Sequence, residues 1–408
     1  MSEFINNSEK RLDDLLAVSL GIMNGENGKE LIEKYKDAIE HITPFDMLKL
    51  EDRQMQMGIG PELIKVYIDK VINIFFKYLK NYPWEKPGEG TFLYYLLLEN
   101  SALTFKLNQI KKIIKSYKGR ENDDFKEMQE KLLPNFRELF GFESHYLKKE
   151  NILFPFLEKN WNDYRPLKVM WSIHDDIRKT LKNLVQLLEN SKTQWEDFTR
   201  VLGKYFFLAF GMIQKEELVL YPIASETIKK EEWEEMHIQS FEYHFPFIES
   251  PEKPKTKKNN STKKFSTPDA NEISGIWSET GFMDVEQALL VFNSLPVEIT
   301  LVDENDTVKF FNRGKDRIFP RSAAIIGRSV QNCHPPESIH VVEEIVKAFR
   351  AGKKEKAEFW IQMKDKFILI QYFALRNKNG EYKGVLEVSQ DVTEIRNLKG
   401  EKRLLDWE

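Results

Sequence analysis

Two stretches decide the fold: HYLKKENILFPFLE, His145 to Glu158, and MIQKEELVLYPIAS, Met212 to Ser225. They align without a gap. Lys148 falls on Lys215, Lys149 on Glu216, Glu150 on Glu217, Leu153 on Leu220, Phe154 on Tyr221 and Pro155 on Pro222. A looser pair, ENSALTFKL (99–107) and IHDDIRKTL (173–181), sets Asn100 on His174 and Leu107 on Leu181. Helical periodicity runs over about 92–117, 123–150, 166–190 and 194–218. Two helix pairs related by duplication predict an antiparallel four-helix bundle with a pseudo-twofold axis, over residues 85–245.

Upstream, residues 1–82 read as a separate helical domain. Thr43 is an N-cap with Pro44 at the first helical position. The run from Pro61 sets Ile64, Ile68, Val71, Ile72, Phe75 and Leu79 on one face. Downstream, residues 249–275 are rich in Pro, Lys, Asn, Ser and Thr and nearly free of apolar residues. Such a segment buries too little to offset its ordering entropy, so it reads as a flexible linker.

After the linker the period changes. VEITLVDENDTVKFFN reads as two strands around a turn at Glu304-Asn305, and 356–393 as three strands with a hairpin turn at Asn379-Gly380. A helix over about 337–350 lies between them. The fold class is therefore α plus α+β: a helical N-terminal domain, the bundle, then a five-stranded antiparallel sheet with helices over 284–395. A C-terminal helix is expected over 396–408.

Composition narrows function. Net charge is −4, too small to draw the whole chain to nucleic acid or membrane. No run of 18 apolar residues and no charged-apolar-small leader is present, which predicts a cytoplasmic protein that does not span a membrane. Cys333 is the one cysteine, which excludes intrachain disulfides and cysteine-rich metal sites. There is no phosphate-binding glycine loop and no nucleophile elbow. The chain is expected not to be an enzyme, and its output to pass through contacts.

HYLKKENILFPFLEK, VMWSIHDDIR and KEELVLYP resemble the hemerythrin-like cation-binding family over residues 85–226. That family carries a histidine on the first and third helices, and His-x3-Glu before Leu-Phe-Pro on the second and fourth. Residues i and i+4 lie about 40° apart on a helix, so both reach one bundle-core metal. The resemblance puts His145, His174 and Glu216 at ligand positions. Asn100, Lys149 and Met212 stand where the family has His, Glu and His. Glu150 is one residue out of phase and reaches the core only through a π-bulge. Two readings compete. In one, His145, His174 and Glu216, with Glu150, hold a single iron, for sensing oxygen, iron or redox state, or for chemistry on oxygen, peroxide or nitric oxide. In the other, Lys149 and Glu216 form an ion pair across the core and no metal binds. An ammonium does not ligate, and it repels a cation.

The whole chain resembles a three-part bacterial and archaeal architecture: domain of unknown function 438, a hemerythrin-like bundle and a C-terminal PAS domain. INNSEKR carries the first part, and LPVEITLVDENDTVKFFN, IGRSVQNCHPPESIH and GVLEVSQDVTEIRNLKGEKRLL the last. Relatives carry a cysteine and a histidine near 64–75, and a His-Pro and a further histidine before the Glu-Asn pair. Here Ile68, Val71, Thr91, Phe92 and Tyr94 stand there. The resemblance implies a cytosolic sensory protein, a homodimer through the PAS domain, acting on a protein partner. Cys333, His334 and His340 are candidates for a haem or cavity site in the PAS domain, against the reading that His340 is solvated. Trp360, in Phe359-Trp360-Ile361, faces a cavity or a dimer partner.

Overall fold

The computed structural model describes residues 2–119, 124–253, 275–278, 280–314, 317–363 and 365–403. The chain divides into two compact units, the first of residues 1–254 and the second beginning at residue 255. Most of the expected linker, residues 254–274, lies outside the described residues.

The first unit opens with α1 (Ser2–Met23), α2 (Gly28–Lys34), α3 (Lys36–Glu40), α4 (Pro44–Gln56) and α5 (Pro61–Lys80). Thr43 caps α4 through a capping box with Asp46, the Thr43 hydroxyl accepting from the Asp46 N–H. Such a cap is worth about 1 kcal/mol. The apolar stripe of α5, from Ile64 to Leu79, is buried as its spacing predicts. Ile68 and Val71 are packed in this stripe.

Four helical rods follow. The first is α6 (Phe92–Ser116). The second is α7 (Phe125–Leu139), a 3-10 turn, α8 (Glu143–Lys148), a π-turn (Lys149–Leu153) and α9 (Phe154–Asn160). The third is α10 (Pro166–Glu189). The fourth is α11 (Trp195–Lys215), a π-turn (Glu216–Leu220) and α12 (Tyr221–Thr227). Thr91 caps α6 by accepting from the Tyr94 N–H. The rods contact one another in the cycle α6, α7, α10, α11, and form the bundle. A last helix, α13 (Lys230–Ser240), packs on α6.

The two π-turns have a shared cause. Pro155 and Pro222 have no N–H and their rings exclude a normal turn against the carbonyl four residues back. In both rods the helix widens by one residue just before the proline: the Phe154 N–H bonds the Lys149 carbonyl, and the Tyr221 N–H the Glu216 carbonyl. The widening turns the out-of-phase glutamate inward, and Glu150 is buried.

The second unit has a hairpin of β1 (Gly275–Ser278) and β2 (Gly281–Asp284), then α14 (Val285–Ser294). A five-stranded antiparallel sheet follows, of β3 (Glu298–Asp303), β4 (Val308–Phe311), β5 (Lys356–Met363), β6 (Lys366–Arg376) and β7 (Tyr382–Asp391), in the order β4-β3-β7-β6-β5. Helix α15 (Pro336–Arg350) supplies Val342, Val346 and Phe349 to the core with Val302, Val308 and Val385. Gly384 has φ +131°, and a Cβ there would stand 2.0 Å from the Val302 carbonyl oxygen, so only glycine fits this crossing of β7 on β3. The closing Asp391-Val392-Thr393 is a hydrogen-bonded clasp: the Thr393 N–H and hydroxyl donate to Asp391 Oδ1, and Thr393 Oγ1 accepts from the Phe367 N–H.

The helix expected over 396–408 does not form among the described residues. Ile395–Asn397 make one 3-10 turn, and Gly400 at φ +68° breaks any continuation before residue 403.

Candidate functional site

The centre of the bundle is a sealed ionic cluster. His145, Lys149 and His174 have no solvent exposure, and Glu216 is 1% exposed. Lys149, at the first position of one π-turn, is ion-paired with Glu216, at the first position of the other. Lys149 Nζ also donates to His174 Nε2 at 2.9 Å. Glu216 Oε2 accepts from Asn100 Nδ2 at 2.9 Å and from the Tyr221 hydroxyl at 2.7 Å. Three donors converging on one carboxyl group are the environment of an ionised carboxylate.

The two imidazoles are held from behind by buried carboxylates. His174 Nδ1 donates to Glu150 Oε1 at 2.8 Å, which leaves Nε2 as the acceptor that faces Lys149. His145 Nδ1 lies 2.8 Å from Glu99 Oε2, and its Nε2 lies 3.2 Å from Glu216 Oε2. Each imidazole also carries an aromatic ring on one face: Phe142 on His145 and Tyr146 on His174, both with centroids 4.6 Å apart.

A second layer of charge surrounds these groups. Lys148 is ion-paired with Glu99, and its ammonium lies 4.2 Å from the centroid of the Phe245 ring. Arg178 donates to Glu150 at 3.0 Å and to Glu143 at 3.0 and 3.1 Å. Lys215, the repeat mate of Lys148, turns away from the centre and pairs with buried Glu51 of α4 at 2.6 Å.

Burial sets the proton affinities. It pushes His145 and His174 well below the ordinary histidine value, and the neighbouring Lys149 ammonium acts in the same direction on both. Both imidazoles are therefore neutral. Burial lifts Glu99 to about 7 against the opposing pull of Lys148. Burial acts to lower the proton affinity of Lys149, with Arg178 adding to the shift; Glu150 and Glu99 oppose it, and the ion pair with Glu216 keeps the ammonium charged.

These residues do not fit a metal ion. The centre on which His174 Nε2 and Glu216 converge is filled by Lys149 Nζ, a donor of hydrogen bonds with its own positive charge. The cage is spaced for hydrogen bonds: 2.9 Å from His174 Nε2 to Nζ, against about 2.1 Å for a metal–imidazole bond. Among the described residues no three histidine, cysteine or carboxylate groups are placed to hold a metal. Glu150 stands behind His174 as its hydrogen-bond acceptor, outside the centre.

The sequence reasoning missed Glu99, Lys148, Arg178 and Tyr221. Their signal is positional. Glu99 and Asn100 interrupt the buried stripe of Leu96, Leu103 and Leu107 on α6. Lys148 lies three residues after His145 and Arg178 four after His174, the spacing of one helix face.

In the second unit the other candidates do not share a site. His340 is exposed, while Cys333 packs against the apolar core. His334 is half-buried, and burial lowers its proton affinity. Trp360 is 63% exposed on edge strand β5, beside Phe359 and Ile361 at 39% each. The inner sheet face carries an in-register polar row, Thr300, Glu387 and Tyr372. Arg321 pairs with that Glu387 at 3.1 Å. Among the described residues no helix is long and apolar enough to cross a membrane.

Comparison with known proteins agrees with this division. Residues 91–224 match the hemerythrin HHE cation binding domain, and residues 289–393 match a PAS domain. No curated protein matches the chain. Among solved structures, the chain is similar to a C-terminal domain from Streptococcus mutans: 32% identity, 31% of this chain and 98% of that one, TM-score 0.30. It is similar to a PAS domain from Colwellia psychrerythraea at 21% identity, over 27% of this chain and 98% of that one, TM-score 0.23. A sensory box sensor histidine kinase from Vibrio cholerae matches at 14% identity, over 26% and 92%, TM-score 0.21.

Proposed function

We propose that this chain, which carries a hemerythrin HHE cation-binding domain and a PAS domain, is a cytoplasmic signalling protein and not an enzyme, whose bundle works without a metal. The observation that carries this reading is the Lys149 ammonium, set between Glu216 and His174 where no residue is exposed. A sealed centre with an internal cation offers no open position to oxygen, peroxide or nitric oxide. The bundle is then a rigid body braced by ion pairs. The PAS domain receives or relays the signal. The apolar residues that β5 presents to solvent support pairing with a second copy, and output passes to a protein partner.

The test is metal content and absorbance of the native protein, purified without oxygen and without a histidine tag. A colourless protein, free of metal and unchanged by ferrous ion, is the expected result. One iron per chain, lost in His174→Ala, would overturn the reading and restore the iron-sensing one.

A further inference from the structure

The bundle centre disagrees with the cation-binding character of its domain, and that disagreement carries an inference that rests on the metal-free reading above. We propose that Lys149 Nζ is itself the cation of this site, and that charge reversal at residue 149 opens a divalent-cation site that the chain still holds in latent form.

Three observations support it. First, both imidazoles are fixed from outside by buried carboxylates, Glu99 on His145 Nδ1 and Glu150 on His174 Nδ1. This second layer orients an Nε2 toward a metal and sets its tautomer. Here both Nε2 atoms point at the Lys149–Glu216 pair. An imidazole that serves only as packing needs no such support.

Second, residues 149 and 216 are equivalent in the repeat and each begins its π-turn. A carboxylate at 149 would make the two halves alike. Two carboxylates and two imidazole nitrogens around one centre form a mixed oxygen and nitrogen donor set that suits first-row divalent ions.

Third, the charges balance. The buried pairs are Lys148 with Glu99, Lys149 with Glu216, and Arg178 with Glu150. Lys149→Glu changes the centre by two negative charges. A divalent cation restores both. The glutamate side chain is also shorter than the lysine, so the volume of Nζ is vacated. From the 2.9 Å spacing, His174 Nε2 has less than one ångström to close to reach coordination distance.

The experiment compares full-length native protein, Lys149→Glu and Lys149→Met, each stripped with chelator and titrated with cobalt(II). We expect Lys149→Glu to take up cobalt with visible absorbance and a Tm rise of about 5–10 °C at hundredfold excess over Kd. Both signals should vanish in the Lys149→Glu, His174→Ala double variant. Lys149→Met should stay folded without metal and take none. A folded Lys149→Glu that binds no cobalt overturns the inference and leaves the metal-free reading standing. Cobalt uptake by Lys149→Met equal to that of Lys149→Glu also overturns it. Native protein that binds cobalt as tightly sinks the metal-free reading itself. Should Lys149→Glu stay unfolded with and without cobalt, Lys149→Asp, which keeps the charge reversal on a shorter side chain, decides: uptake that depends on His174 supports the proposal, and none overturns it.

Discussion

The two halves of the bundle share a π-turn and carry opposite charges at its buried first residue, 149 in one half and 216 in the other. Residues 145–158 and 212–225 have the same π-turn before the same proline. Lysine begins one π-turn and glutamate the other. A symmetric pair of carboxylates would demand an external cation. The asymmetric pair neutralises itself, and four rods stay joined by groups that the chain supplies. The charge at the first position of one π-turn thus sets whether the buried centre is neutralised from within the chain.

The largest expected effect comes from breaking the asymmetry on one side. Glu216→Ala leaves the Lys149 charge buried, and removes the acceptor of Asn100 and Tyr221. Loss of one partner of a buried pair costs about 3–5 kcal/mol. The Lys149→Met, Glu216→Met double variant should recover much of this, with a coupling of about 2–3 kcal/mol in urea unfolding. Additive losses would mean that the two side chains do not stabilise each other.

The flanking lysines sharpen the comparison. Lys148 and Lys215 are repeat mates, both buried, and each has its own glutamate. Glu99 serves Lys148 and His145 together, whereas Glu51 serves Lys215 with one oxygen and its Oε1 has no hydrogen-bond partner among the described residues. Glu99→Gln should therefore destabilise by roughly 2–4 kcal/mol and Glu51→Gln by about half as much. Equal losses would show that the contact to His145 adds nothing. Glu51 lies on α4 and Lys215 on α11, so the second half of the bundle also ties the N-terminal helices to the fold.

Much of this was legible in the sequence because duplication leaves a pattern. The gap-free repeat gave the bundle, and Pro155 and Pro222 mark both π-turns. The facing of Lys149 and Glu216 followed from their equivalence. The second layer was less legible. A buried Glu99 or Lys148 looks like any charged helix residue until its stripe is read against its neighbours, because burial of a charge depends on a partner from another helix. Phe245 lies in the non-helical turns after α13, where no periodicity points to the ammonium beneath its ring. In the second unit, alternation gave the five strands. The placement of the 331–340 histidines depended on how α15 seats on the sheet, and no local pattern encodes that.

The two imidazoles give the smallest and most specific test. Both are neutral in the folded protein, because burial and the Lys149 charge hold their proton affinity well below the ordinary value. The unfolded chain takes up a proton at each near pH 6.5. Below that pH the unfolded state binds more protons than the folded one, so their contribution to stability is present at neutral pH and is lost as pH falls. His174→Gln keeps a donor for Glu150 and an acceptor for Lys149 but cannot titrate. Its stability, measured by urea unfolding at pH 6.0, 5.5 and 5.0, should fall less steeply than that of the native protein. The difference in slope should approach about 1.4 kcal/mol per pH unit, the value for one proton. Identical slopes would mean that His174 carries its proton in the folded state, which the donation from Lys149 Nζ to its Nε2 forbids.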